Sequence, residues 1–448
     1  MGSLYLISKY TLDSEIENTR QASLGWEEKT VFERSERLHR LADILQQHHL
    51  ELATIISLEN GKPFGEAQGE VSYSIGFFRW FANSVVRLHD SIIPSTSSSL
   101  KVEVRHRPIG LCAAITPWNF PLAMLAKKCA AALAAGCGLI CKPAEETPFS
   151  ALALMELIHR AGFPNGIFNV VLGDAPMIGQ VFCSHPSIRK ISFTGSTNVG
   201  KILMQQSAYS LQKLSLELGG NAPFVVLNSA DLDTVCSSML RSKFRNSGQA
   251  CISANRFIVD ANIHSQFIEH TLTSVRSLSV GPAFKDGLPS HADIGPLISN
   301  TAVEKIQRLL NDALSKGALL LHGNIPSEDS LFVHPIVIDN INSTMDIWWE
   351  EVFGPVIAVC TAQNTSHAVE LANQSKHGLG AYLFTQNAVE IETLPSKIQC
   401  GMVGVNTGAI SMPQTPFGGV KHSGFGREGG IEGLFEYLTT QTVVRHIE

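Results

Sequence analysis

The sequence predicts an α/β fold of parallel, doubly wound sheets, and three observations carry that prediction. Short apolar stretches recur along the chain, each followed by a segment with helical periodicity. Each stretch ends in a loop that turns on Pro or Gly and presents a polar group. The composition is that of a globular chain. Of 448 residues 44% are apolar and 17% charged, enough to bury a large core and too apolar for a disordered segment.

In chain order, Leu38, Leu41, Leu45, Leu52 and Ile56 recur at steps of three, four and seven. That spacing predicts one long amphipathic helix from Glu27 to Asn60, stopped by Gly61 with Pro63 beyond it. A second helix is expected over Glu66–His89, its Tyr73, Phe77, Phe78, Trp80 and Phe81 packing in the core. Residues 91–100 are turn-rich, and Lys101–Arg107 alternates like a strand with one wet face. Leu111–Ile115, Gly138–Cys141, Ile167–Leu172, Ile188–Phe193 and Lys213–Glu217 then read as buried strands. Helices fall between them: one over Leu122–Ala135, another with Thr147 as cap and Pro148 at its first position. A second alternation opens at Pro223–Leu227. It includes helix-like Asp231–Phe244 and Ala302–Lys316 and strand-like Val356–Cys360 and Met402–Val405, and the tail Thr440–Ile447 alternates again. Ligands of such sheets gather beyond the carboxyl ends of strands, so the loops after 115, 141, 193 and 217 are the place for a site.

Lys and Arg number 34 against 40 Asp and Glu, a net charge of -6 with no basic stripe. That balance speaks against nucleic acid and for a small-molecule partner. Nine cysteines are scattered singly, which points to reduced thiols in a cytoplasmic compartment, with a mitochondrial one as the alternative. Cys137 and Cys141 have no second pair and the 16 histidines show no HExxH, so no metal site is expected. The start has neither a secretory nor a transit pattern, and Met1-Gly2 meets Leu6 where a lipidation signal needs Ser or Thr. The longest nearly uncharged stretch, Cys129–Cys141, is too short to span a bilayer.

Two motifs mislead. Gly195 to Lys201 nearly completes a phosphate-binding P-loop, but Ile202 stands where Ser or Thr must hold magnesium. Gly424-Phe-Gly426-Arg-Glu-Gly429 spells GxGxxG, yet no buried strand precedes it, and a loop needing positive φ is the better account.

The chemistry gathers around Cys251, in Gly248-Gln-Ala-Cys251. The strand-end loops are Thr116-Pro-Trp-Asn-Phe-Pro121, Lys142-Pro-Ala-Glu145, Phe193-Thr-Gly-Ser196 and Glu217-Leu-Gly-Gly220. With Glu351-Val-Phe-Gly-Pro355, Pro416-Phe-Gly-Gly419 and Ser423-Gly424, they stand in the order of the aldehyde dehydrogenase superfamily. The chain resembles that superfamily from about residue 11 to 445. KPAEETPFSALAL, KISFTGST, SKFRNSGQAC and GMVGVN bring it nearest to the succinate-semialdehyde dehydrogenases.

That resemblance implies a Rossmann-type cofactor domain (1–89, 109–219 and 421–436), an α/β catalytic domain (220–420) and a β-strand oligomerisation arm (90–108 and 437–448). It implies a homodimer or homotetramer. By the same resemblance Cys251 is the nucleophile, forming a thiohemiacetal and then a thioester, because a thiolate both attacks and leaves well. A thiol with a pKa near 8.5 is only about 3% thiolate at neutral pH, so a base or a local field must help. Glu217 matches that general base, and Asn119 the amide that meets the developing oxyanion with the Cys251 N–H. Lys142 and Glu145 match the pair at the adenosine ribose, where a carboxylate favours NAD over NADP. Trp118, Gly195 and Ser196 fall at the pyrophosphate, Glu351 at the nicotinamide ribose, and Phe353 beside the ring. For a distal substrate carboxylate the family uses two arginines and a serine. Arg245 and Ser411 match one arginine and the serine, while the other position holds Lys127, a point charge without a bidentate fork.

The expected reaction is thus oxidation of a carboxylated semialdehyde such as succinate semialdehyde. The alternatives are a general aliphatic or aromatic aldehyde dehydrogenase and a catalytically idle relative with a binding role. Two departures stand out. Ser253 occupies the place where some relatives carry a second cysteine, so a vicinal disulfide is excluded, and the N-terminus lacks the strand pair that opens the family's fold.

Overall fold

A computed structural model describes residues 5–327 and 329–447; the Met1-Gly2 start lies outside them. Four helices come first: α1 (Lys9–Glu27), α2 (Val31–Gln47), α3 (His49–Asn60) and α4 (Phe64–Val85). The helix expected over 27–60 is two helices, broken at His48, and its start is set by a capping box in which Thr30 and Glu33 bond each other's backbone N–H. Helix α1 buries Leu12, Ile16, Thr19, Ser23 and Trp26 at helical spacing. Two of those five are polar, which hides the stripe from a search for apolar residues.

Strands β1 (Ser91–Ile93) and β2 (Leu100–Pro108) follow. The alternation then runs β3 (Leu111–Ile115), α5 (Pro121–Ala135), β4 (Leu139–Lys142), α6 (Phe149–Arg160), β5 (Phe168–Val170), α7 (Ala175–Ser184), β6 (Ile188–Thr194), α8 (Thr197–Ser207) and β7 (Lys213–Glu217). Strands β7-β6-β3-β4-β5 make a parallel sheet in that order, and Gly424–Phe425 pairs antiparallel with the outer edge of β7. Register positions the site. Ile115 lies between Lys142 and Phe193, and Thr194 lies beside Glu217, so four strands end level at one edge.

The start of α6 differs from expectation. Pro148 stands at its N-cap, and the buried Thr147 hydroxyl finds no partner among the described residues. Glu59 of α3 caps the helix instead, accepting the N–H groups of Phe149 at 2.7 Å and Ser150 at 3.1 Å. A carboxylate ninety residues away leaves no local signature.

The second layer holds β8 (Ala222–Val226), α9 (Leu232–Lys243) and β9 (Ala254–Asp260). Strands β8 and β9 join Ile336–Asp339, Val356–Ala362, Gly380–Phe384 and Met402–Val405 in parallel, with Leu319–His322 antiparallel at one edge. Apolar cores cover both faces of both sheets. Only residues 218–221 separate β7 from β8, so the sheets meet beside Glu217. Apart from both, β1, β2 and Leu438–His446 form an antiparallel sheet whose two long strands pair from Leu100 with His446 to Pro108 with Leu438. Its Ile92 and Val444 are exposed. Among the described residues no helix is long and apolar enough to cross a membrane.

Candidate active site

Cys251 lies in the loop entering β9, just past a short 3-10 turn (Arg245–Gly248). Asn246, Ser247 and Gly248 have φ of 52°, 58° and 78°, three successive left-handed residues that bend the chain sharply out of α9. A side chain at Gly248 would strike Gly354 O. Ala222 and Ala254 are register partners at the starts of β8 and β9. That alignment brings Gly220 onto the Cys251 carbonyl, where an added Cβ would lie 2.2 Å from the oxygen, so only glycine fits. The thiol is half-buried, and burial pushes its pKa up to about 12. Lys127 and Arg245 pull it down, while Glu351 and Glu217 add to the rise.

Asn119 is buried beside it. Its side-chain amide donates to Gln249 O at 3.0 Å, and its own carbonyl accepts from Lys62 Nζ at 2.7 Å and Asn246 Nδ2 at 2.8 Å. Lys62 is paired at 2.6 Å with Glu70, both side chains wholly buried. The other Glu70 oxygen accepts the N–H groups of Leu122 at 2.9 Å and Ala123 at 3.1 Å. Helix α5 has no cap of its own, so Glu70 serves as one from α4 and ties the turn of Asn119 to the helix behind it.

Glu217 closes β7, is 2% exposed, and neither carboxylate oxygen has a hydrogen-bond partner among the described residues. Burial, then the charge of Glu428, raises its pKa well above the carboxylate range. Glu428 is gripped by Lys127 at 2.9 Å and by Lys128, and the two lysines outweigh burial to hold it at about 2.

Two cavities meet at Cys251. The larger, about 400 Å³, is lined by Trp118, Gly195, Ser196, Glu217, Glu351 and Phe353 among others. Ser196 caps α8 by accepting from Val199 N, so the N-terminus of an eleven-residue helix opens into this space. The Trp118 and Phe353 rings meet edge to face, centroids 5.6 Å apart. Glu351 accepts from Gly220 N at 3.2 Å, and burial raises its pKa to about 7. Lys142 and Glu145 pair at 2.5 Å beside a separate recess of about 70 Å³ beyond the strand ends. A space with a helix N-terminus, an aromatic pair and the carboxylates of Glu217 and Glu351 on its walls suits a dinucleotide.

The other cavity, about 290 Å³, opens on the far side of the thiol and is lined by Tyr73, Phe120, Arg241, Arg245, Ser411 and Phe417 among others. The Arg245 guanidinium lies 4.8 Å from the Phe120 ring centre, and Tyr73 shares a 2.5 Å hydrogen bond with Ser411. Tyr73 packs its ring edge to face on Phe77, centroids 4.7 Å apart, as expected of the core aromatics, and its hydroxyl end also lines this cavity. Lys127 is placed otherwise than expected. Its side chain is fully buried, its Nζ sits 3.7 Å from the Phe417 ring centre and faces Glu428, and it does not line the cavity. Despite burial, Glu428 raises its pKa. Its charge is thus spent on Glu428, away from any distal carboxylate in the cavity. Sequence reasoning also missed Lys62, Glu70, Lys128, Asn246 and Glu428. They sit on helix faces or loops where only tertiary packing shows their partners. Ser253 is buried and donates to Lys243 O.

The model of the "Aldehyde dehydrogenase family" matches residues 1–443. A non-phosphorylating aspartate-semialdehyde dehydrogenase of Halomonas elongata is 42% identical over 444 residues, covering 98% of this chain and 89% of that protein. An NADP(+) succinate-semialdehyde dehydrogenase of Escherichia coli is 41% identical over 439 residues, covering 98% and 90%. The crystal structure of a succinate-semialdehyde dehydrogenase from Burkholderia pseudomallei superposes with a TM-score of 0.97 at 42% identity, covering 100% of this chain and 92% of that one.

Proposed function

The chain belongs to the aldehyde dehydrogenase family and is an NAD(P)-dependent oxidoreductase, and on that premise we propose that it oxidises a carboxylated semialdehyde, succinate semialdehyde or a close analogue, to the acid with NAD as the preferred acceptor. One observation carries this reading: Cys251 borders both cavities, so a carbonyl carbon reached by its sulfur from one side faces the dinucleotide space on the other.

In this reading Glu217 takes the Cys251 proton and passes it to solvent as the sulfur adds to the aldehyde carbon, and the oxyanion meets the Asn119 amide and the Cys251 N–H. The bound dinucleotide supplies the hydride acceptor. Trp118, Gly195 and Ser196 would hold its pyrophosphate, Glu351 and Phe353 its nicotinamide half, and Lys142 and Glu145 its adenosine ribose. Loss of hydride leaves a thioester on Cys251. Glu217 takes a proton from the attacking water, and hydrolysis releases the acid and restores the thiol. Glu217 has no competing hydrogen-bond partner among the described residues, which keeps its lone pairs available once it is ionised. Arg245 and Ser411 would bind the distal carboxylate. Glu145 favours NAD by opposing a 2′-phosphate. The long ribbon of β2 and Leu438–His446 has an uncovered edge suited to a second copy of the chain, in a homodimer or homotetramer.

The test is an NADH absorbance assay over a panel of carboxylated and neutral aldehydes, with wild type and Cys251→Ala. Turnover lost with Cys251→Ala and favouring carboxylated aldehydes supports the reading. Equal turnover of neutral aldehydes favours a general aldehyde dehydrogenase, and no turnover by wild type marks an idle family member.

A further inference from the structure

Helix α9 carries a second arginine, Arg241, one turn before Arg245. The helical hydrogen bonding continues between them, since Phe244 N–H donates to Leu240 O at 3.0 Å, so both stand on one face. Both line the 290 Å³ cavity, and both line a small bay of about 40 Å³ that adjoins it and also reaches Ser411. Both are exposed, and neither enters an ion pair among the described residues. The acids bordering the cavity are engaged elsewhere, Glu70 by Lys62 and Glu66 by the Asn246 N–H at 2.7 Å. Two like charges at this spacing repel each other; Glu66 is near enough to feel Arg245, but no acid among the described residues pairs with either guanidinium. An anion from outside would.

We propose that Arg241 is a specificity-determining residue. In this role it supplies the second guanidinium for the substrate's distal carboxylate, working with Arg245 and the Ser411 hydroxyl in the bay beside Cys251. This rests on the semialdehyde reading above and deepens it. Lys127, turned to Glu428 behind Phe417, leaves a single arginine for the carboxylate, and Arg241 restores two-point recognition from a different element. The substrate class is an aldehyde whose far end carries a carboxylate able to lie between two guanidiniums. A lone point charge does not impose that constraint.

The experiment measures kcat and KM for succinate semialdehyde and butanal at saturating NAD, in wild type, Arg241→Gln, Arg241→Lys and Arg245→Gln. Arg241→Gln is expected to lower the semialdehyde-to-butanal ratio of kcat/KM about tenfold or more, the loss falling on KM, with Arg241→Lys recovering part of it. If Arg241→Gln keeps the wild-type ratio while Arg245→Gln lowers it, the proposal is overturned and the carboxylate is read by Arg245 alone. Equal losses on both substrates for Arg241→Gln also overturn it, by marking a structural role. If neither Arg241→Gln nor Arg245→Gln moves the ratio, the semialdehyde reading falls as well.

Discussion

The two cavities that meet at Cys251 are assembled in different ways. In the larger one the polar groups come from the ends of adjacent strands, and the register of β3, β4, β6 and β7 levels them at one edge. In the smaller one they come from α4, α9 and the loop near Ser411, elements far apart in sequence and joined only by packing. Backbone hydrogen bonding fixes the first set to a fraction of a residue, whereas the second set can change one side chain at a time without disturbing a ladder. Chemistry common to a family belongs on the first kind of scaffold, and substrate choice belongs on the second.

Three substitutions sharpen or break that contrast. The largest effect is expected for Glu217→Gln on the strand-end side, with kcat falling about 10²–10⁴-fold. Burial and the charge of Glu428 raise the pKa of Glu217 above the carboxylate range, so its share of the basic form grows as pH climbs. Wild-type kcat should rise toward alkaline pH, and the variant should keep only the shallower rise that belongs to the Cys251 thiol. A variant that keeps the full wild-type rise would place the base elsewhere.

Next in size is Glu70→Gln, which joins the two sides because Glu70 caps α5 while Lys62 holds the turn of Asn119. Removing the charge leaves Lys62 buried without a counter-ion. Urea unfolding should then show a loss of about 3–5 kcal/mol, with much of it restored by adding Lys62→Met. Unchanged stability in the single variant would mean that the pair does not organise this junction.

The smallest effect is at the separate recess beside Lys142 and Glu145. Glu145→Gln should raise the NADP-to-NAD ratio of kcat/KM about tenfold, from loss of about 1–4 kcal/mol of repulsion toward a 2′-phosphate. A ratio that does not move would show that Glu145 takes no part in the choice.

The sequence was most readable where local rules decide the structure. The apolar runs of β3, β4, β6 and β7 and their Pro- and Gly-turned ends announce both the sheet and its edge. Motif order supplied the candidates Cys251, Glu217 and Asn119. What escaped was decided by distant partners. The cap on α6 comes from Glu59 and that on α5 from Glu70, and no window of sequence contains either pair. Tyr73 reads as one of five core aromatics, and only the packing of α4 against the loop near Ser411 brings its hydroxyl end to the cavity as well. Lys127 and Lys128 look alike in sequence. Which of them faces solvent, substrate or Glu428 depends on where residue 428 arrives from the far end of the chain.

The position of Cys251 between two chambers also bears on inhibition. An electrophile has two doors to the same sulfur, one through a corridor shaped for a nucleotide and one past a pair of arginines. An anionic alkylating agent and a bulky aromatic one would therefore arrive by different routes. A covalent inhibitor carrying a carboxylate is better designed for the arginine door, where two guanidiniums can guide it to the sulfur.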